Sequence, residues 1–153
     1  MTDIELVRRC CSASDGGLET SVADARHALA ITAEPALVGA AGAWADKVRA
    51  ELEQLRRRAF EIDASGSLML GEPGRAIASA EGLLTLDPLH ESAYRTVMSG
   101  YLSLGERGQA LKVAARCRRI LDDELGGVAP SAETEASTWR FSEPTSPLLR
   151  RRG

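Results

Sequence analysis

The sequence predicts an all-α fold, an α-solenoid of helical hairpin repeats with about six to seven helices. Three observations lead there. One unit occurs twice, AFEIDASGSLMLGEPGRAIASA from Ala59 to Ala80 and AYRTVMSGYLSLGERGQALKVA from Ala93 to Ala114, at a constant offset of 34 residues. Ten of the 22 aligned positions are identical, far more than unrelated helices would share; they include Gly71 with Gly105, Ala76 with Ala110 and Ala80 with Ala114. Apolar residues flanking the repeat recur at steps of three and four, the amphipathic helical period. Only 4% of the chain is aromatic against 44% hydrophobic, so the core is Leu, Ala, Val and Ile, as suits packed helices.

A 34-residue period built from helix, Gly-containing turn and helix is the tetratricopeptide (TPR-like) pattern. Antiparallel helices approach closely only where contact residues are small, which places Ala76 and Ala110 at the crossings. Gly71 and Gly105 end the first helix of each hairpin, where a positive φ is expected. Phe60 and Tyr94, also 34 apart, are expected to fill the gap between neighbouring hairpins. Pro88 stops the second helix and opens the next unit.

In chain order, residues 3–12 (DIELVRRCCS) fit either a short helix or a strand, helix being preferred, and Ser14 to Gly17 reads as a turn. Leu18 to Ile31 is predicted helical, with Val22, Ala25, Leu29 and Ala28 on one face. Glu34-Pro35 ends it, and Ala36 to Gly42 is a small-residue loop. A long helix follows from Ala43 to Leu70, its inward stripe being Trp44, Val48, Leu52, Leu55, Ala59 and Ile62. Arg56 to Arg58 fan over about 200° of that helix and read as a solvated face rather than a phosphate patch. Further helices are expected over 74–86, 90–104 and 107–125. The last carries Ala110, Leu111, Ala114, Cys117, Ile120 and Leu121 inward, with Cys117 as a small buried apolar residue. After Gly126-Gly127, Ser131 is predicted to cap a short helix over 132–140. Residues 1–140 thus form one domain. Residues 141–153, ending in SEPTSPLLRRRG, are expected to be a disordered basic tail.

A chain of 153 residues buries roughly two thirds of its unfolded surface as one domain. The formal net charge of −3 gives no global attraction to nucleic acid or anionic membrane. No apolar run approaches the roughly 18 residues of a membrane span, and MTDIELVRRCC lacks a secretion signal's apolar core. Three cysteines, two adjacent, fit a reducing compartment, so the expected location is the cytoplasm.

Catalytic motifs are absent: no GxxxxGK[ST], no GxGxxG after a strand and no GxSxG. His27 and His90 have no Cys or acid pair at ligand spacing, and neighbouring Cys10 and Cys11 point apart on regular structure. No enzyme, metal or cofactor is therefore expected. What remains is a surface. The first helix of each hairpin lines the concave side of such a stack, where partners are held. Ser92, Arg95, Ser99 and Ser103 in the second repeat, and Arg58, Glu61 and Ser65 in the first, are the candidate partner-binding residues.

One stretch narrows the function. Asp87-Pro88-Leu89 with Glu91, Tyr101-Leu102, Gly105, Ala110-Leu111, Arg118-Arg119-Ile120-Leu121, Glu124-Leu125-Gly126 and Pro130-Ser131 with Glu133 together resemble the bacterial transcriptional activator domain, the helical module of SARP-type regulators. Asp3-Ile4, the helix to Ile31, and Trp44 before an Arg/Glu-rich helix fit its beginning more loosely, so the resemblance covers about residues 3–140. Gly127 and Val128 follow ELG where one Val is usual, which lengthens the last loop. In that family a winged-helix DNA-binding domain precedes the module. Here the module starts at residue 3, so no direct DNA contact is expected from this polypeptide; a truncated frame, an excised module and a stand-alone relative all fit. The resemblance implies a non-enzymatic regulatory module contacting a DNA-binding domain, RNA polymerase or a second copy in a homodimer. The alternative is a scaffold adaptor that holds a partner peptide and has no link to transcription.

Overall fold

The computed structural model describes residues 5, 8, 17–33 and 39–142. Six helices follow one another among them: α1 (Leu18–Ile31), α2 (Ala43–Met69), α3 (Pro73–Leu86), α4 (Glu91–Ser103), α5 (Arg107–Leu125) and α6 (Ala132–Ser142). No strand occurs among the described residues. The fold is all-α, and each helix packs against the next in sequence. In addition α2 touches α4, and α4 touches α6. That pattern is a stack of hairpins: α2/α3 and α4/α5 are successive units, α1 backs the first and α6 begins a third.

The two hairpin turns are built alike because their sequences are. Gly71 and Gly105 both have φ of 76°, the left-handed region that costs glycine nothing. Glu72 N–H reaches back to Ser67 O and Glu106 N–H to Tyr101 O, both at 2.8 Å. These bonds, with Gly71 N–H to Leu68 O and Gly105 N–H to Leu102 O, form the Schellman closure that satisfies the last carbonyls of a helix. No side chain caps the N-termini of α1 to α5. Helix–helix packing, more than end effects, therefore holds the array.

The crossings are made by small residues. Ala76 and Ala110 are fully buried, as are Ala59 and Ala80. Gly100 gives α4 its approach to α3: a Cβ there would lie 2.6 Å from Ile77 Cγ1 and 3.2 Å from the Pro73 carbonyl. Its repeat-mate Gly66 is pressed against Val22 of α1 in the same way. The main core gathers Leu83, Leu84, Tyr94, Val97, Met98, Val113, Cys117 and Leu121, with Phe60 packed on its edge. Fully burying one Leu or Met stabilises by roughly 1.5–3 kcal/mol, so this cluster dominates. A second cluster joins Ala25 and Ala28 of α1 to Ala59 of α2.

Four sequence expectations need correction. Trp44 is not the start of the inward stripe of α2. It is 67% exposed, and Ala45, turned about 100° around the helix, takes the buried place. Leu111 is 38% exposed, because the buried face of α5 runs through Ala110, Val113, Ala114, Cys117 and Leu121 and leaves it one step aside. Of Arg56 to Arg58 only Arg58 is exposed. Arg56 lies over the Phe60 ring at 5.6 Å, and Arg57 bonds Glu53 at 2.6 Å and the Leu86 carbonyl at 3.3 Å. Finally, α6 continues to Ser142, two residues beyond its expected end. Of residues 3–12 only Glu5 and Arg8 are described, and both are helical. Cys10, Cys11, the Glu34-Pro35 break and residues 143–153 lie outside the described residues.

Candidate functional site

The seven candidate residues fall into two stripes on neighbouring helices. On α2, Arg58, Glu61 and Ser65 follow one another at steps of three and four, which keeps them on one face. On α4, Ser92, Arg95, Ser99 and Ser103 do the same. α2 touches α4, so the two stripes lie on neighbouring helices, the first of each hairpin. Arg58, Glu61, Ser65 and Ser103 are exposed; Ser92, Arg95 and Ser99 are half-buried.

The side chains are not equally free. Ser65 Oγ donates to the Glu61 carbonyl at 2.8 Å and Ser103 Oγ to the Ser99 carbonyl at 3.0 Å, so each offers an approaching partner only acceptor lone pairs. Glu61 Oε1 lies 3.6 Å from His90 Nε2, and His90 Nδ1 lies 3.4 Å from Asp87 Oδ2 at the α3–α4 turn. Arg95 is engaged by α6: it donates to Thr134 Oγ1 at 3.0 Å and pairs with Glu133 at 3.3 Å.

Sequence reasoning missed Met69. It continues the α2 stripe one turn beyond Ser65, lies 34 residues before Ser103, and is 74% exposed. The repeat alignment pointed to it, but a methionine in an apolar-rich segment reads as core. Its apolar end adds a hydrophobic residue to an otherwise polar stripe.

Two polar clusters were also missed. Asp63 of α2 is fully buried. Its Oδ1 accepts from Arg26 Nε of α1 at 2.8 Å and Ser67 Oγ at 3.1 Å; its Oδ2 accepts from Ser79 Oγ and from Arg75 Nε of α3 at 3.2 Å. Arg26 also pairs with Glu72. Burial pushes the Asp63 carboxyl up, but bonds from Ser79 and Arg26 and the charge of Arg75 outweigh it and hold it below its ordinary value. The second cluster centres on buried Thr134 of α6. Its hydroxyl donates to Glu91 Oε2 at 2.7 Å, and the Ser131 amide donates to the same oxygen at 2.8 Å. Burial raises Glu91, while these bonds lower it further than burial raises it.

Neither cluster is arranged for bond-making. Both Asp63 oxygens are saturated and its side chain is sealed, so no substrate reaches it. Cys117 is fully buried and burial pushes its thiol up to about 11, far from the thiolate a nucleophile needs. Ser131 Oγ accepts from the Thr134 amide at 3.4 Å, the expected helix start.

A family model of the bacterial transcriptional activator domain matches residues 4–138. The chain belongs to the bacterial transcriptional activator domain family. The match runs from the N-terminal segment through all of α1 to α5 and most of α6, so both hairpins and both polar clusters lie inside the bacterial transcriptional activator domain. That family is one of transcription-related regulatory modules rather than of enzymes. A comparison with curated proteins finds no match. No helix among the described residues is long and apolar enough to cross a membrane.

Proposed function

We propose that this bacterial transcriptional activator domain is the protein-docking module of a SARP-type activator, working by contact with a DNA-binding domain, RNA polymerase or a second copy. Its docking face is the α2–α4 surface, with Arg58, Glu61, Ser65, Ser92, Arg95, Ser99 and Ser103 as contact residues. The observation that supports this reading is the exposed stripe Arg58–Glu61–Ser65–Met69. A large apolar side chain held in water about two to three turns from two opposite charges on the same helix face gives a partner an anchor and two orienting contacts. The role is regulatory and non-catalytic, and DNA is reached through the partner.

Two experiments test it. Purified chain is first titrated against promoter DNA at moderate salt, where tight sequence-specific binding would refute action through a partner. The chain and an Arg58→Glu/Met69→Ala variant then serve as baits in a bacterial lysate. Capture of RNA polymerase or a winged-helix regulator by the wild type alone supports the proposal. Chaperones or secretion components in their place point to a scaffold adaptor.

A further inference from the structure

α6 is attached to the rest of the molecule differently from the other helices. Helices α3 and α5 each bury five side chains, mostly apolar. In α6, among side chains that are described, only Thr134 is buried, and its large apolar residue Trp139 is 69% exposed. The side-chain hydrogen bonds and ion pairs described between α6 with its cap and the body converge on two α4 residues one turn apart. Glu91 accepts from Thr134 and Ser131, and Arg95 reaches Thr134 and Glu133. Beside Trp139 a cleft of about 240 Å³, lined by Leu111, Ala115 and Arg118 of α5 and by Thr138, stays open. The connection from α5 is exposed: residues 122–129 all face solvent, and Gly126 and Gly127 have φ of 67° and 94°.

We propose that α6 is a detachable cover over the α4 end of the docking surface. Resting on the proposed docking role of that surface, it further specifies the partner's chemistry. The incoming segment is a helix start that presents a hydroxyl to Glu91 and a carboxylate to Arg95, as Ser131-Ala132-Glu133-Thr134 does in cis. Such a segment gains the four polar contacts to Glu91 and Arg95 that α6 makes in cis. Detachment turns Arg95 and Glu91 from internal partners into a charged pair facing the groove.

Native-state hydrogen exchange on the full chain tests the cover. The amides of α6 are expected to exchange at least about tenfold faster than those of α3 to α5. Thr134→Val, which keeps the shape and deletes the hydroxyl, speeds α6 further and leaves α3 to α5 unchanged. Exchange of α6 in step with α5 in the wild type would overturn the proposal. A fluorescent synthetic peptide of residues 128–142 then probes the vacated site. It should bind Thr134→Val at least about tenfold more tightly than wild type, and lose that gain in Thr134→Val/Arg95→Gln. Equal binding to all three chains, or none to any, overturns the shared-site claim. Exchange is read without a partner, so it stands or falls separately from the docking role of the surface.

Discussion

Arg26 of α1 donates its Nε to Oδ1 of the fully buried Asp63 of α2 at 2.8 Å. Arg75 of α3 holds the other oxygen. One carboxylate therefore ties three helices together; if it is removed, Arg75 loses this partner and Arg26 keeps only Glu72 as a counter-charge. Asp63→Asn is expected to destabilise the fold by about 2 kcal/mol, in the range for weakening hydrogen bonds to a buried charged group. Urea unfolding measures it. The loss should exceed that of Glu53→Gln, whose exposed carboxylate makes an i,i+4 pair with Arg57 worth only about 0.3–0.5 kcal/mol.

Acid should weaken the fold through the same group. The carboxyls of Asp63 and Glu91 are held below their ordinary values in the folded chain. A depressed carboxyl binds its proton more weakly when folded than when unfolded. The stability it contributes is complete above the unfolded values of about 4 and is lost as pH falls through the lower folded ones. Thermal midpoints from pH 7 down to 3 should be level until about pH 5 and then fall. In Asp63→Asn the midpoint starts lower and the acid-dependent drop is shallower.

Gly100→Ala tests the helix crossing. Alanine is favoured over glycine inside a helix by about 1 kcal/mol, so an open site would be stabilised. Here the new methyl meets Ile77 Cγ1 and the Pro73 carbonyl. Overpacking of about 1–3 kcal/mol is expected to win, lowering the thermal midpoint by several degrees. Gly108→Ala, with nothing within 4 Å of its Cβ, should be neutral or stabilising.

Cys117 should be silent toward thiol reagents in the native protein, since it is buried and its thiol is raised to about 11. Peptide mapping after brief labelling at pH 7 should find it unmodified, and modified once urea unfolds the chain.

The hairpins were legible because the repeat marks them twice. Gly71 and Gly105 recur at one offset and adopt the same φ; Ala76 and Ala110 recur and both are buried. Element bounds followed from the turn chemistry. Side-chain fates at the ends of the array were not legible. Trp44 and Leu111 carry apolar side chains at helical spacing, yet both are exposed, because Ala45 and Ala110 take the neighbouring buried places. Asp63 was hidden for the opposite reason. A charged residue on an amphipathic helix reads as surface, and its partners Arg26 and Arg75 are 37 and 12 residues away. Arg95 lay on the expected face, but its capture by Glu133 and Thr134 depends on where α6 folds back, which no local pattern encodes.

The measurement that bears most directly on the docking role is the affinity of a captured partner for the wild-type chain and for Arg58→Glu/Met69→Ala. The account predicts a loss of at least about tenfold, or 1.4 kcal/mol, with the thermal midpoint unchanged because both side chains are exposed. Equal affinity for the two chains would contradict it.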